Sequence, residues 1–152
     1  MEQGALAGYP IVDVRVRLVD GSTHPVDGKD IAFQIAGSMA MRKAVLEAQP
    51  ALLEPIMNVV ATVPERLTGD VIGVINAHRG RVGGMNPLGD GRSEVSAQVP
   101  QAEMYRFPID LRAVTQGRGR FRMEFSHYEE SPPNVAQPLI DAFRREHAAM
   151  AS

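Results

Sequence analysis

The chain has 152 residues, of which 16 are basic and 18 acidic, and it contains neither cysteine nor tryptophan. A globule of this size buries about two-thirds of its chain surface, so one or two small domains fit and a large enzyme does not. The missing cysteines exclude disulfides and cysteine-based zinc sites, and no apolar run is long enough to cross a membrane. The formal net charge of -2 limits any contact with a polyanion to a local patch.

The first fifty residues predict one strand and one helix. Residues 11–19 alternate between apolar and polar side chains, which indicates a strand with one solvent-exposed face. Residues 30–49 repeat apolar residues at helical spacing, with Asp27 or Asp30 as the N-cap, and Gly37 predicts close packing of this helix against a strand. One strand and one helix cannot close a core. This incomplete half-domain therefore packs on the second domain or lacks its partner strands.

The pattern that follows reads strand, helix, strand, strand, helix, strand. The first helix begins at Pro64 and ends before Gly80, Pro108 fits the first position of the second helix, and the last strand directs Phe121, Met123 and Phe125 inward. One-sided alternation in successive strands is typical of a sheet that helices cover on one face. The order βαββαβ predicts an α+β fold, the ferredoxin-like sandwich.

Three segments follow from this pattern. Residues 1–50 form the incomplete half-domain, residues 51–131 the sandwich, and residues 132–152 a C-terminal helix. In that helix the apolar docking face is formed by Leu139, Ile140 and Phe143.

Two junctions rich in glycine and arginine are the strongest candidates for a binding site. Arg79 and Arg81 flank one glycine, and Arg118 and Arg120 flank another. Glycine lets a phosphate approach the backbone and arginine supplies paired donors, so these residues predict contact with RNA or phosphate. Because both junctions follow a helix, we expect the four arginines to share one edge of the sheet. The alternative is that the glycines only end the helices and the arginines are solvated.

Other chemistry has weaker support in the sequence. His24 is predicted to lie in a loop beside Pro25. It is either an ordinary surface turn residue or a contact residue at the tip of a loop that the proline makes rigid. Ser126 and His127 with Asp110 could be read as a hydrolytic set, but no GxSxG motif is present and strand alternation exposes Ser126. Without a GxxxxGK[ST] motif the chain cannot bind GTP or ATP as a P-loop does. The spacing of the histidines predicts no metal site.

Five stretches resemble the carboxyl-terminal part of translation elongation factor G: GYPIVDVRVRLVDGSTHPVD, IAFQIAGSMAMRKAV, LLEPIMNVVATVPERLTGDVIGVINAHRG, VSAQVPQAEM and DLRAVTQGRGRFRMEFSHYEESP. Together they extend over essentially the whole chain. The resemblance implies the second half of domain IV followed by domain V, which is ferredoxin-like. It also implies that the partners of the first strand and helix belong to the first half of domain IV. We therefore expect a fragment or a truncated reading frame.

The resemblance implies a role on the ribosome. The family's factor is a cytoplasmic, ribosome-dependent GTPase that drives translocation of tRNA and mRNA, and GTP and magnesium are expected only in its GTPase domain. For this chain we therefore expect no cofactor and no catalytic residue. The implied partners are ribosomal RNA and the tRNA–mRNA duplex at the decoding site, where His24 falls on the family's tip histidine. Domain V lies near the sarcin-ricin loop and the stalk base, which fits a basic edge.

The sequence also departs from the family around the tip. Where the family reads SYHEVDSSE, this chain differs at Thr23, Pro25, Gly28 and Lys29. These differences leave room for a paralogue that acts in ribosome recycling or ribosomal protection. A further alternative is a stand-alone ferredoxin-like interaction module, which would self-associate through the incomplete half-domain.

Overall fold

The computed structural model describes residues 4–23 and 28–150, with side chains up to Ala148, and they form two compact units. The first unit runs to Leu52, resumes at Ser131, and contains helices α1 (Asp30–Glu47) and α4 (Pro133–Met150). The second unit contains β1 (Leu53–Pro64), α2 (Thr68–Ala77), β2 (Arg81–Pro87), β3 (Arg92–Pro100), α3 (Phe107–Val114) and β4 (Arg120–Glu130). The division at residues 51 and 131 into separate domains and a terminal helix remains a prediction.

The strands of the second unit form one antiparallel sheet in the order β2-β3-β1-β4. β1 lies in the middle, paired with β3 from Ile56 to Pro64 and with β4 from Leu53 to Thr62. The register with β4 shifts once, between Ile56 and Met57. This arrangement confirms the predicted ferredoxin-like α+β fold.

The core of the second unit lies between the sheet and its two helices. Alternate residues of the inner strands meet one face of each helix: Val59, Ala61, Val63, Val95, Val99, Val71, Ile75, Phe107 and Leu111. Phe107 is fully buried, and its ring meets the rings of His78 and Phe121 edge-on at 5.8 and 5.4 Å. α3 starts at Phe107, so Pro108 occupies its second position and not the predicted first. Burial of one apolar stripe per element explains why these segments take their predicted structures.

The outer strand β4 is less buried than its alternation predicts. Phe121 packs against the core, but Met123 and Phe125 are 50% and 54% exposed. The prediction that all three point into the core is therefore wrong for two of them. β4 is an outer strand, and the buried residues of the core come from β1, β3, α2, α3 and the turn before α3 that holds Met104, so the helices do not cover β4 fully.

Residues 11–19 form no strand in the described structure, contrary to the prediction. Val14, Val16 and Leu18, on the apolar side of the alternation, are 52%, 68% and 90% exposed. A strand is stable only when a neighbouring strand pairs with its backbone groups, and no described segment pairs with this one.

Helix α1 has its predicted position but not its predicted start or packing. Lys29 occupies the N-cap without a side-chain cap bond, Asp30 lies in the first turn, and Asp27 is outside the described residues. A Cβ at Gly37 would have no described atom within 4 Å, so the predicted close packing against a strand is absent. Val45 is the one described residue of this helix that is buried.

Helix α4 begins at Pro133 and contains Pro138. Phe143 of its predicted docking face is half-buried and contacts Gly8, where a Cβ would lie 2.8 Å from Cε2 of the ring. Leu139 is 43% exposed. Within the described ranges, no helix is both long and apolar enough to cross a membrane.

Candidate nucleic-acid interface

The first arginine junction lies at the end of the sheet where β1 begins. α2 ends beside this point, and Arg79 takes a left-handed backbone conformation with φ 55° as the chain turns into β2. Gly80 follows it because a Cβ there would lie 2.5 Å from Cγ2 and 2.8 Å from the carbonyl oxygen of Ile75. This glycine therefore serves the packing of the turn against α2.

Arg79 is held by carboxylates from two elements. Its two terminal nitrogens donate hydrogen bonds to the two oxygens of Glu54 at 2.8 and 2.9 Å, and its Nε donates to Glu103 at 2.9 Å. The bonds to Glu54, with a smaller contribution from Glu103, outweigh burial and raise the pKa of Arg79 above its ordinary value. All three guanidinium nitrogens are engaged, so a phosphate would have to compete with two carboxylates.

Arg81 is also ion-paired. It bonds to Glu129 of β4, which accepts a second hydrogen bond from Nε2 of His127 at 2.8 Å. The hydrogen bond from His127 and the bond from Arg81 together lower the pKa of Glu129. Arg81 thus shares its carboxylate partner with a histidine.

The hydrolytic set read from the sequence is not assembled. Ser126 Oγ donates to Nδ1 of His127 at 2.8 Å, but Asp110 accepts from Nε2 of His78 at 2.8 Å. The third member of the set is therefore bonded elsewhere.

The second arginine junction lies at the opposite end of the sheet. Arg120 is paired with Thr62, near the carboxyl end of β1, whereas Arg79 bonds to Glu54 near its amino end. The expectation that the four arginines share one edge is therefore wrong. The β2–β3 hairpin reverses the chain, so the second strand-helix-strand unit runs the opposite way and its junction emerges at the other end.

Four exposed arginines lie at this second end, and none has an ion-pair partner in the part of the chain that the structure describes. They are Arg66, Arg112, Arg118 and Arg120, which we call the basic end. Arg66 lies two residues after the end of β1, Arg112 lies in the last turn of α3, and the carbonyl of Arg112 accepts the N–H of Gly117 at 2.9 Å. Arg118 has one weak contact, to Gln116 at 3.4 Å.

Sequence reasoning missed two members of the basic end. Arg66 and Arg112 lie outside the two glycine-rich and arginine-rich junctions that were predicted to form the binding site. Their signal is topological: once β4 is known to run antiparallel to β1, the residues after β1 and at the end of α3 fall beside the start of β4. His24, the other predicted site residue, lies outside the described residues, so its role stays a prediction.

Comparisons with known proteins agree with this architecture. Residues 1–49 match the family "Elongation factor G, domain IV", and residues 51–139 match "Elongation factor G C-terminus". A crystal structure of a protein from Thermus thermophilus is similar with a TM-score of 0.80 and 40% sequence identity over 95% of this chain. The chain spans 22% of the length of that protein. Taken together, these matches show that the chain belongs to the elongation factor G family and comprises sequence of its domain IV and its C-terminal domain.

Proposed function

We propose that this chain is a ribosome-contacting part of an elongation factor G-like translation factor, supporting translocation of tRNA and mRNA in the cytoplasm. The observation that carries the proposal is the basic end, where four exposed arginines have no described carboxylate partner. Arginine forks bind phosphate oxygens in pairs, and phosphate contacts supply most of the sequence-independent affinity for nucleic acid. A local cluster reconciles RNA contact with the net charge of -2.

Only two of the four arginines that the sequence predicts as RNA-binding belong to the basic end. Arg118 and Arg120 are free to contact ribosomal RNA, whereas Arg79 and Arg81 contribute through their ion pairs to the shape of the opposite end. In this proposal Arg66 and Arg112 join the RNA-binding set. GTP hydrolysis takes place on another part of the longer factor, and this chain supplies no catalytic group.

Salt-dependent co-sedimentation with ribosomes tests the proposal. The variant Arg118→Gln/Arg120→Gln should bind more weakly, and its plot of log affinity against log salt should be shallower by about one per lost phosphate contact. The matched control is Arg106→Gln, which removes an exposed arginine that precedes α3 at the other end of the sheet and has no ion-pair partner among residues 4–23 and 28–148.

Two results would overturn this proposal. Equal losses in the double variant and in the Arg106 control would show that binding does not depend on the basic end. Appreciable GTP turnover by the purified chain with ribosomes present would contradict the absence of a catalytic site.

His24 is proposed to contact the tRNA–mRNA duplex at the decoding site. The departures at Thr23 and Lys29 leave a recycling or protection paralogue as the competing function. His24→Ala in a full-length relative tests the proposed contact when translocation is timed, because an unchanged rate would remove His24 from the interface.

Exposure of residues 11–19 favours a second candidate, an interaction module that self-associates through residues 1–50. Val16 and Leu18 present an apolar surface that no described residue covers. Under this alternative, binding to ribosomes would be weak and independent of the basic end, and Val16→Asp would reduce self-association.

A further inference from the structure

Strand β4 is an edge of the sheet with an unpaired outer side. The strand order β2-β3-β1-β4 leaves no described strand beyond it. Its register with β1 is continuous from Arg120 to Phe125 before the shift that follows, so this stretch of the edge is regular. A regular edge presents a row of free backbone N–H and C=O groups, which is a template for another strand.

The sequence of this edge is self-complementary. Residues 121–125 read Phe-Arg-Met-Glu-Phe. If two copies pair antiparallel about a twofold axis at Met123, Arg122 of each copy lies opposite Glu124 of the other. Phe121 then lies opposite Phe125. Opposite charges and aromatic pairs across strands stabilise a sheet, and a twofold axis makes every such contact twice.

The side chains of this stretch are available for that pairing. Glu124 is exposed and has no ion-pair partner in the described ranges, and Arg122 is 72% exposed with a single contact to Glu94 at 3.4 Å. Met123 and Phe125 are half exposed. Neither proline nor a bulge, which often protect sheet edges, interrupts residues 121–125, and the two charged residues of this stretch, Arg122 and Glu124, have opposite signs.

We propose that two copies of this chain dimerise by antiparallel pairing of their β4 strands, centred on Met123. The contact joins the two four-stranded sheets into one continuous sheet. Charge complementarity between Arg122 and Glu124 sets its register, since a twofold axis at Phe121 or at Arg122 would place arginine opposite arginine. The paired stretch, residues 121–125 of β4, contains no member of the basic end.

Charge reversal tests the interface by sedimentation velocity over a series of concentrations of the full chain. The wild type should show a concentration-dependent dimer. Arg122→Glu or Glu124→Arg alone places like charges opposite each other twice and should raise the dissociation constant at least tenfold. The double variant Arg122→Glu/Glu124→Arg should restore the dimer. Arg106→Glu, a charge change of the same size away from β4, should leave it intact.

Mixing the two single variants gives the sharpest result. Each is expected to be monomeric alone, yet an equimolar mixture should form a heterodimer, because both cross-strand pairs then unite glutamate with arginine. Heterodimer formation also shows that both variants are folded. A wild type that stays monomeric throughout would overturn the proposal. So would a dimer that ignores both reversals, or one that Val16→Asp dissociates while the β4 variants do not.

Discussion

Arg79 links three elements of the second unit through two carboxylates. Glu54 lies on β1 and is 8% exposed, and Glu103 precedes α3. Replacing Arg79 with methionine keeps the apolar stem but leaves a buried carboxylate without its cation, which should cost about 3 kcal/mol of unfolding free energy. Urea denaturation measures the loss.

Arg81→Met is the control for this change. Arg81 and Glu129 are 63% and 36% exposed, so solvent screens their interaction and the loss should be much smaller. Similar losses in the two variants would show that Arg79 is not a structural clamp.

The pKa of Glu129 tests the second ion pair. Its folded-state pKa is lowered, first by the hydrogen bond from His127 and next by Arg81. A carboxyl with a lowered folded pKa stabilises the protein above its unfolded pKa, and that contribution is lost as the pH falls through the folded pKa. His127→Ala should therefore raise the pKa of Glu129 more than Arg81→Gln does, as followed by NMR titration of the carboxyl. The reverse order would assign the lowered pKa to Arg81.

At the level of single elements, the turn from α2 to β2 depends on Gly80. Gly80→Ala would push a methyl group into the side chain and carbonyl of Ile75, which should cost about 1 to 3 kcal/mol. Gly73→Ala is the matched control because a Cβ there has no described atom within 4 Å. In the middle of α2 it should instead stabilise the protein by up to about 1 kcal/mol. Equal effects in thermal or urea unfolding would contradict this packing.

Most elements of the second unit could be predicted from the sequence, because the apolar residues that repeat along each element lie on one face and are buried there. Val59, Ala61 and Val63 repeat every second residue, and the structure buries all three. Residues 11–19 show the same alternation but form no strand, since pairing depends on a neighbour that local pattern cannot reveal. The ion pairs of Arg79 could not be predicted from local sequence either, because Glu54 lies 25 residues away along the chain and Glu103 lies 24 residues away.

At the scale of the whole molecule, the second unit contains a complete core of its own. Every member of its buried cluster lies between Met57 and Phe121. An isolated chain of residues 51–131 should therefore fold without the remainder and unfold in one cooperative urea transition. Circular dichroism and the dispersion of amide NMR signals measure this without a tryptophan. A poorly dispersed spectrum would show that this segment needs residues 1–50 or 132–152.

The two ends of the sheet also differ electrically. Carboxylates of Glu54, Glu103 and Glu129 hold Arg79 and Arg81 where β1 begins, while the four arginines of the basic end have no ion-pair partner among the described residues. We expect this difference in neutralisation to give the second unit a dipole moment along the strands. Near a polyanion, a dipole experiences a torque that turns its positive pole forward, within a range of about 10 Å at 0.1 M salt. A protein of slightly negative net charge can therefore reach a polyanion with its basic end already turned toward it. We expect added salt to lower the association rate at concentrations that do not yet weaken the bound complex.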